Sequence, residues 1–325
     1  MQARRLGNGP IVGPETDPTL GRNIQGPSLI RVPSWVVEPL GRYYLYFADH
    51  KGSYIRLAYA DDVEGPWAIH QPGSLQLEDS CFLTEPPSAT EAELAELAEL
   101  YSTLFGEGSF SRSLATDAIT PHIASPDVHV DDSARRIVMY FHGLESLGIL
   151  VSRAAVSANG IDFTALDEVL GQPYLRVFRH AGWTYGLAMP GQFLRSRDGL
   201  SGFELGPSRF GPAMRHAAVL VRDDLLHVFW SRVGDAPECI LWSTVDLAGD
   251  WMDWTESDPV EVLRPRYPWE GADRPVEPSV RSVAPGRVHQ LRDPAVFEDD
   301  GRLFLLYAVA GESGIALAEL DPVGA

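Results

Sequence analysis

Residues 290–307, QLRDPAVFEDDGRLFLLY, hold the pattern from which the fold follows. Two β-rich runs flank the turn Asp299-Asp300-Gly301, and such a turn is typical of a β-hairpin because Asp and Gly tolerate positive φ angles. A third β-rich run lies at 314–320, so the three runs predict an antiparallel meander. Arg292 and Asp293 directly precede the first apolar run. Arg292 and Asp293 are therefore expected at the entrance of the space that this first strand lines.

The same pairing of β-rich runs recurs along the chain, at 41–60, 136–152, 183–196 and 225–244. The copy at 183–196 is the weakest match. About five sheets of one design in an all-β chain predict a five-bladed β-propeller. The first blade is expected at 23–67, and the next four blades begin near residues 121, 174, 214 and 289. Because a propeller is one closed ring, residues 1–325 are expected to form a single domain.

The two segments outside the repeats have different predicted roles. Residues 1–22 lack periodicity and are expected to form an extended arm that supplies a closing strand to the last blade. A helical insertion is predicted at about 88–106, between blades one and two. Thr90 and Glu93 have the spacing of a capping box, and apolar side chains follow at helical spacing at Leu94, Leu97, Tyr101 and Leu104.

Composition and charge narrow the classes of partner. The 325 residues carry a formal net charge of −19, which would repel nucleic-acid phosphates and anionic membranes. The N-terminal residues lack the apolar segment of a signal peptide, and no run approaches about 18 apolar residues, so a cytoplasmic protein is expected. Cys81 and Cys239 lie far apart in the sequence, and whether they pair is left open.

Charged residues recur where the predicted inner strands begin. The first strand of each blade lines the central channel of a propeller, so the strand starts point to one shared funnel. The residues concerned are Asp127 with His129, Arg215 with His216, and Arg292 with Asp293. Ionisable groups that converge on one point indicate a functional site. The alternative is that these charges form buried ion pairs that tie the blades together.

Together these features resemble the five-bladed β-propeller glycoside hydrolases, above all family 43, with similarity to families 32, 68, 117 and 130. The start of blade two, Ser125-Pro126-Asp127-Val128, looks like the Ala-Pro-Asp-Val of family 43, whose Asp orients the acid and tunes its pKa. Arg292-Asp293-Pro294 looks like the Arg-Asp-Pro of families 32 and 68, whose Asp stabilises the oxocarbenium-like transition state. The resemblance implies that Asp127 orients the acid and that Asp293 is the base or nucleophile.

The sequence departs from the family-43 pattern at two positions. The first blade has Gly26-Pro27 where family 43 has the Asp-Pro of its base, and no glutamate opens blade three, where that family keeps its acid. The acid is therefore expected in the loop before blade five, at Glu270 or Glu277. Glu270 is favoured because the indole of Trp269 would raise the pKa of the carboxyl by desolvation and would stack on a sugar ring. Family 117 is described as using a histidine as acid, which makes the alternatives His216 and His50.

Further residues are candidates for holding the substrate. A guanidinium suits a carboxylate or sulfate, so Arg292, Arg215 and Arg31 indicate an acidic sugar, with ordinary ion pairing as the alternative. Asp49 and His50 lie in the turn between the second and third strands of blade one and are secondary candidates.

No cofactor is expected to be required. The nine histidines show no metal-ligand spacing, which argues against a transition-metal site. The resemblance to family 43 implies at most a calcium or sodium ion in the central channel near His216.

The sequence therefore predicts a glycoside hydrolase that cleaves O-glycosyl bonds of an oligo- or polysaccharide, such as a furanoside or an acidic sugar, with carbohydrate as its partner. Such cleavage needs one protonated and one ionised carboxyl. Asp293, Asp127 and Glu270 would supply them. Two alternatives stay open. One is a non-catalytic propeller that binds a glycan, and the other is a phosphorylase similar to family 130, which would need a cluster of Arg, Lys or His for inorganic phosphate.

Overall fold

The fold is a five-bladed β-propeller, as the repeats predict. The structure is a computed structural model that describes residues 1–106, 108–111 and 113–321. Within these residues, five four-stranded antiparallel sheets follow one another along the chain, and each sheet is one blade. The first strand of every blade lies at the centre of the ring.

The chain begins with β1 (Ala3–Leu6), which belongs to the last blade. Blade one contains β2 (Gln25–Arg31), β3 (Tyr43–Ala48), β4 (Tyr54–Ala60) and β5 (Ala68–Gln76). Blade two contains β6 (Ile123–Asp131), β7 (Arg136–Ser146), β8 (Ile149–Ser157) and β9 (Thr164–Ala165). Blade three contains β10 (Arg176–His180), β11 (Trp183–Ala188), β12 (Gln192–Ser196) and β13 (Glu204–Ser208).

Blade four contains β14 (Met214–Arg222), β15 (Leu225–Arg232), β16 (Ile240–Asp246) and β17 (Val260–Leu263). Blade five contains β18 (Arg292–Asp299), β19 (Arg302–Ala308) and β20 (Ile315–Leu320), with β1 as its outermost strand. Four short 3-10 helices lie at Pro18–Leu20, Leu77–Asp79, Trp251–Asp253 and Pro268–Glu270.

Two α-helices fill the insertion between blades one and two. The first, α1 (Glu91–Phe105), confirms the predicted helix, and Thr90 and Glu93 make both hydrogen bonds of the capping box. The second, α2 (Leu114–Ile119), is too short to have been predicted from periodicity. Blade one also extends further than expected, to residue 76, because the polar strand β5 lacks the alternation of its neighbours.

Each sheet is packed between two neighbouring sheets, so both of its faces are buried. The alternation of a strand therefore serves two cores. In β3, Tyr43, Leu45 and Phe47 pack towards blade five, whereas Tyr44 and Tyr46 pack towards blade two. The three remaining interfaces have apolar clusters of the same kind. This double burial explains why the strands appear in the sequence as nearly continuous apolar runs.

The ring is closed by the N-terminal arm, as expected. Strand β1 pairs antiparallel with β20, from Ala3 opposite Leu320 to Leu6 opposite Leu317. On one side of β1, Arg5 Nε lies 2.7 Å from Glu270 Oε1 in an ion pair with almost no solvent exposure. On the other side, Arg4 pairs with Glu319 and is 70% exposed.

The antiparallel order of the strands decides which loops meet at the centre of the ring. In each blade, the turn between the second and third strands lies at the same edge as the start of the first strand.

Cys81 is exposed and Cys239 buried, and both are free thiols. Among the described residues, no helix is long and apolar enough to cross a bilayer.

The buried ion pair between Arg5 and Glu270 predicts that substitutions of the adjacent residues Arg5 and Arg4 differ in their effect on stability. We expect Arg5→Ala to lower the free energy of unfolding by about 3–5 kcal/mol, because it leaves the Glu270 carboxylate buried without its cation. Arg4→Ala, in the same strand, should cost less than about 1 kcal/mol because its ion pair is exposed. Urea unfolding of both variants measures the difference. Equal effects would contradict a closure by the Arg5 and Glu270 pair.

Candidate active site

The inner strands begin with a backbone feature that recurs around the ring. In blades one, two, four and five, the pairing of the first strand with the second shifts register at a bulge near the strand start. One residue at each bulge has a positive φ, and Tyr174 has the same conformation directly before β10. These residues are Gly26 (64°), Ser125 (54°), Tyr174 (61°), His216 (48°) and Asp293 (48°). A positive φ is unfavourable for residues other than Gly and is concentrated at functional sites.

The equivalent residues meet at one pocket. Ser125, Tyr174 and His216 line a pocket of about 360 Å³ at the centre of the ring. Asp293 does not itself line the pocket, but it contacts two residues that do, Tyr174 and His216. Gly26 is the equivalent residue of blade one, and a Cβ atom there would stand 3.2 Å from the Cα atom of Ser125. A side chain at position 26 would therefore require the backbone of blade two to shift by a few tenths of an ångström.

Asp293 has the environment of a carboxyl that retains a proton. It is 1% exposed, and its Oδ1 accepts a hydrogen bond of 2.9 Å from Tyr174 Oη. Its Oδ2 has no hydrogen-bond partner among the described residues. Burial raises the pKa of Asp293 to about 6, the negative charge of Glu312 adds to this shift, and Arg215 opposes it. The group is therefore protonated in weakly acidic solution.

A chain of buried charges runs beside Asp293 through three blades. Arg215 lies 3.6 Å from Glu238, Glu238 lies 3.3 Å from Arg292, and Arg292 lies 3.0 Å from Glu312. The chain ends at His50 Nδ1, 3.1 Å from Glu312. Burial alone would raise the pKa of Glu312, but His50 and Arg292 hold it well below its usual range.

This chain decides between the two interpretations of the arginines. Arg292 is fully buried, forms ion pairs with Glu312 and Glu238, and donates a hydrogen bond to the Gln290 side chain. These ion pairs tie the blades together. Arg215 has an ion-pair partner and also lines the pocket, as does His216 beside it. His50 lines the pocket too, whereas Asp49 caps its own turn through the Lys51 backbone N–H.

Polar side chains from blades one and two form another wall of the pocket. Lys51 Nζ lies 3.9 Å from Asp117 Oδ1 and 3.5 Å from His122 Nε2. Within the described part of the chain, Asp117 Oδ1 is buried and accepts no hydrogen bond, and His142 Nδ1 is likewise buried without a hydrogen-bond partner. Burial, with His50 and Lys51 as the next causes, lowers the pKa of His142 to about 3.

Three histidines of the pocket, His122, His142 and His216, are therefore neutral at pH 7. Burial, with Lys51 as the next cause, lowers the pKa of His122 well below its usual range. Burial and Arg215 have the same effect on His216. Neutral imidazoles donate and accept hydrogen bonds but do not supply protons as strong acids. Of the described groups that meet at this pocket, Asp293 is the one whose pKa is raised into the weakly acidic range.

Asp127 and His129 do not join this site, which corrects the expected convergence with Asp293. They line a second cavity of about 250 Å³ in the channel, which shares no lining residue with the pocket. Asp127 accepts hydrogen bonds of 2.8 Å from His129 Nε2 and from the Val177 backbone. Arg176 spans the channel between blades two and four through the carbonyl oxygens of Ser125, Pro126 and Ala217. The physical reason is register, because Ser125, two residues earlier, occupies the position equivalent to Asp293.

The loop before blade five also corrects an expectation. Glu270 is completely buried away from the pocket, where it accepts hydrogen bonds from Arg5, Tyr307 and two backbone N–H groups. These partners leave its carboxylate no role as a proton donor in the pocket. Trp269 stacks on Tyr267 at 5.7 Å, and Glu277 is exposed. Arg281 and Ser282 are the residues of this loop that line the pocket.

Arg31 lies at the far edge of the sheet from the pocket. It pairs with Asp299 at 2.8 Å and with Asp300 at 3.1 Å, in the hairpin turn of blade five. Arg31 therefore links blades one and five as an ordinary ion pair, which was the alternative to binding an acidic substrate.

Several residues of the pocket were missed in the sequence. The antiparallel meander places the second turn of each blade at the funnel, and this rule would have indicated Lys51, which lines the pocket, and Glu312, which lies in the buried chain of charges beside it. An alignment of the dipeptides Ser125-Pro126 and Asp293-Pro294 at the starts of blades two and five would have shown that Ser125 is equivalent to Asp293. Asp117 carries no comparable signal, because it lies in an insertion without periodicity.

The residues do not fit a metal ion. Among the described residues, no group of three or more His, Cys, Asp or Glu is arranged to hold one. His216 stands beside the Arg215 guanidinium, which would repel a cation, so the calcium or sodium ion implied near His216 lacks a set of oxygen ligands.

Comparison with known proteins gives the family and the fold. No protein-family model matches the chain. The chain is 34% identical over 324 residues to the uncharacterized protein R118 of Acanthamoeba polyphaga mimivirus, covering 92% of this chain and 83% of that protein.

Solved structures are similar over nearly the whole chain. A family-43 β-xylosidase/α-arabinofuranosidase from a compost metagenome, in complex with xylotriose, matches with a TM-score of 0.59, 12% identity and coverage of 99% of this chain and 96% of that chain. A family-43 enzyme from Xanthomonas citri matches with a TM-score of 0.57, 12% identity and coverage of 97% and 91%. The chain thus belongs to the family of mimivirus protein R118 and has the five-bladed β-propeller fold of the family-43 glycoside hydrolases.

Proposed function

We propose that the protein hydrolyses an O-glycosidic bond of an oligo- or polysaccharide whose bound residue carries an anionic group. The observation that carries this proposal is Asp293, a buried carboxyl beside the pocket with one oxygen unpartnered and a pKa raised to about 6. Perturbed carboxyls in a cleft are the groups that enzymes use as general acids. The similarity of the fold to glycoside hydrolases supports the same chemistry.

Glycoside hydrolysis needs two carboxyls in opposite protonation states. We assign the protonated role to Asp293, because burial favours its neutral form. Asp117 is the candidate for the ionised role, since its Oδ1 lies 3.9 Å from Lys51 Nζ and accepts no hydrogen bond from the residues that the structure describes. In this assignment Asp293 donates a proton to the leaving oxygen, and Asp117 activates water. Tyr174 holds Asp293 in place through its hydrogen bond.

The charge of the pocket supports an anionic substrate. The chain has a net charge of −19, yet Lys51, Arg215 and Arg281 all line this pocket. Arg281 lies over the Phe105 ring at 4.2 Å and donates to the Pro212 carbonyl oxygen. Burial, and then repulsion from Arg215, lowers the pKa of Arg281. A carboxylate or sulfate on the sugar would relieve this repulsion between two guanidinium groups.

The same cations favour one alternative, a glycoside phosphorylase. Lys51, Arg215 and Arg281 are the kind of cluster that would hold inorganic phosphate. In that case phosphate, in place of water, attacks the sugar. Turnover would then depend on added phosphate and release a sugar phosphate, whereas hydrolysis would be unaffected by phosphate at low concentration.

Turnover of a substrate panel tests the proposal. We expect wild-type protein to hydrolyse at least one member of a panel of neutral and acidic aryl glycosides and of linear tetrasaccharides of galacturonate, arabinose and xylose. Asp293→Asn and Asp117→Asn should each lower kcat by about 100-fold or more, because each removes a group needed for proton transfer. The matched control Asp127→Asn changes a carboxylate of the other cavity and should retain activity.

Correct folding of every variant is checked by circular dichroism. Loss of activity in Asp127→Asn but not in Asp293→Asn would contradict the assignment. Binding of the tetrasaccharides without turnover by wild type would support a non-catalytic propeller instead.

The protonation of Asp293 has a consequence for stability. A carboxyl whose pKa is higher in the folded state than its usual 3.8 makes the folded state less stable as pH rises from about 4 to 7. Asp293→Asn removes this pH-dependent loss of stability, and its amide oxygen still accepts the hydrogen bond from Tyr174 Oη. We therefore expect its free energy of unfolding to improve relative to wild type by about 3 kcal/mol between pH 4 and pH 7.

Asp127→Asn is the control of opposite sign. Burial would raise the pKa of Asp127, but His129 holds it below its usual value, so the ionised form stabilises the fold above that pH. The variant should lose stability relative to wild type as pH rises. Urea titrations at several pH values measure both trends. A difference between Asp293→Asn and wild type that is independent of pH would contradict the raised pKa.

A further inference from the structure

We propose that the pocket admits only the terminal residue of a glycan, so that the protein acts from chain ends. This inference rests on the proposed function and deepens it. Its basis is a strap, residues 108–111, which joins the helical insertion to the loop before blade five and divides the funnel into two chambers.

The strap is fixed by backbone pairing. The Arg281 backbone N–H donates to the Ser109 carbonyl oxygen at 2.6 Å, and the Ser111 N–H donates to the Arg281 carbonyl oxygen at 3.1 Å. Phe110 and Arg281 thereby form a parallel β-bridge. Phe110 also contacts the rings of Tyr101 and Phe105 in α1, at 5.7 and 5.9 Å. The strap is therefore held from both the helix and the loop.

Two consecutive residues of the strap face different chambers. Phe110 lines the pocket of about 360 Å³ described above. Ser111 lines a neighbouring cavity of about 420 Å³, together with Arg22, Asn23 and Glu312. The two cavities share no lining residue. The strap therefore stands between them.

The partition continues from the strap to the floor of the funnel. The Ser111 hydroxyl donates to the Val283 carbonyl oxygen, and the next residue, Ala284, donates its N–H to Glu312 Oε2 at 3.2 Å. Glu312 Oε1 lies 3.1 Å from His50 Nδ1, and His50 lines the pocket. A line of direct hydrogen bonds thus runs from the strap into the buried charges beneath. A sugar chain that passed through this line would have to break it.

The pocket is therefore closed on the side of blades one and five, and we call it a blind pocket for that reason. An internal residue of a polysaccharide has neighbours on both sides and needs a groove with two open ends. A terminal residue needs one entrance only. The volume of about 360 Å³ lies at the low end of the range for ligand pockets, as expected for a site that holds one end of a chain.

The first products of tetrasaccharide hydrolysis test the inference. The probes are the linear tetrasaccharides of galacturonate, arabinose and xylose, analysed by mass spectrometry before a tenth of the substrate is consumed. Action from a chain end gives a monosaccharide and a trisaccharide. Initial release of disaccharides would overturn the inference and leave glycoside hydrolysis standing.

Two tryptophan substitutions separate the chambers. Arg22→Trp fills the second chamber, and we expect it to leave tetrasaccharide turnover within about twofold of wild type. Ile149→Trp fills the pocket, which Ile149 lines, and should weaken binding of the monosaccharide and the tetrasaccharide alike. A tenfold or greater loss in Arg22→Trp, on a protein that is folded by circular dichroism, would place the glycan in the second chamber and overturn the inference.

Calorimetry separates this inference from the proposed function. If wild type turns over no probe but binds the monosaccharides as tightly as the tetrasaccharides, hydrolysis is contradicted and the blind pocket stands. Affinity that rises with each added residue would overturn the blind pocket. Failure of every probe both to bind and to react would overturn the two proposals together.

Discussion

The candidate pocket depends on one backbone constraint, the left-handed residue at the start of each inner strand. It recurs at Ser125, His216 and Asp293, where a side chain makes the conformation costly by about 1 to 3 kcal/mol each. The bulges separate these residues from the regular ladder, so that Ser125 and His216 line the pocket and Asp293 contacts His216, while the strands continue into the blades. Side chains further along the strands, such as Asp127, face the other cavity instead. Register along the strand therefore decides which of the two cavities a side chain lies near.

Burial and charge act together on Asp293. Its burial favours the protonated form, yet the chain from Arg215 through Glu238 and Arg292 to Glu312 places four buried charges nearby. Such chains contribute little net stability, because desolvation offsets their attraction. Their effect here is on protonation, since Glu312 raises the pKa of Asp293 and Arg215 lowers it. Glu312, at the end of this series of ion pairs, also contacts His50 and the Ala284 backbone N–H. The ion pairs between blades therefore also help to form the wall of the pocket, which His50 lines.

The sequence predicted the architecture better than the site. Strands buried on both faces leave long apolar runs, and turns leave Asp and Gly, so the five blades, the closing arm and α1 were all recognisable. The position equivalent to Asp293 in blade two is Ser125, two residues before Asp127, and the sequence alone did not show this register, which is why Asp127 was grouped with Asp293. Glu270 was expected in the pocket because its loop is long and aromatic, but that loop instead supplies a buried partner for Arg5. Asp117 lies in an insertion, where nothing in the sequence indicates its direction.

The central claim is that Asp293 carries a proton into the weakly acidic range. Isotope-edited infrared difference spectra test it directly, by following the carbonyl stretch of protonated Asp in wild type and subtracting the spectrum of Asp293→Asn. We predict a single buried carboxyl that titrates with a pKa of about 6. A difference band that disappears near the ordinary pKa of about 3.9 would contradict the account, because Asp293 would then be ionised and could not act as the acid.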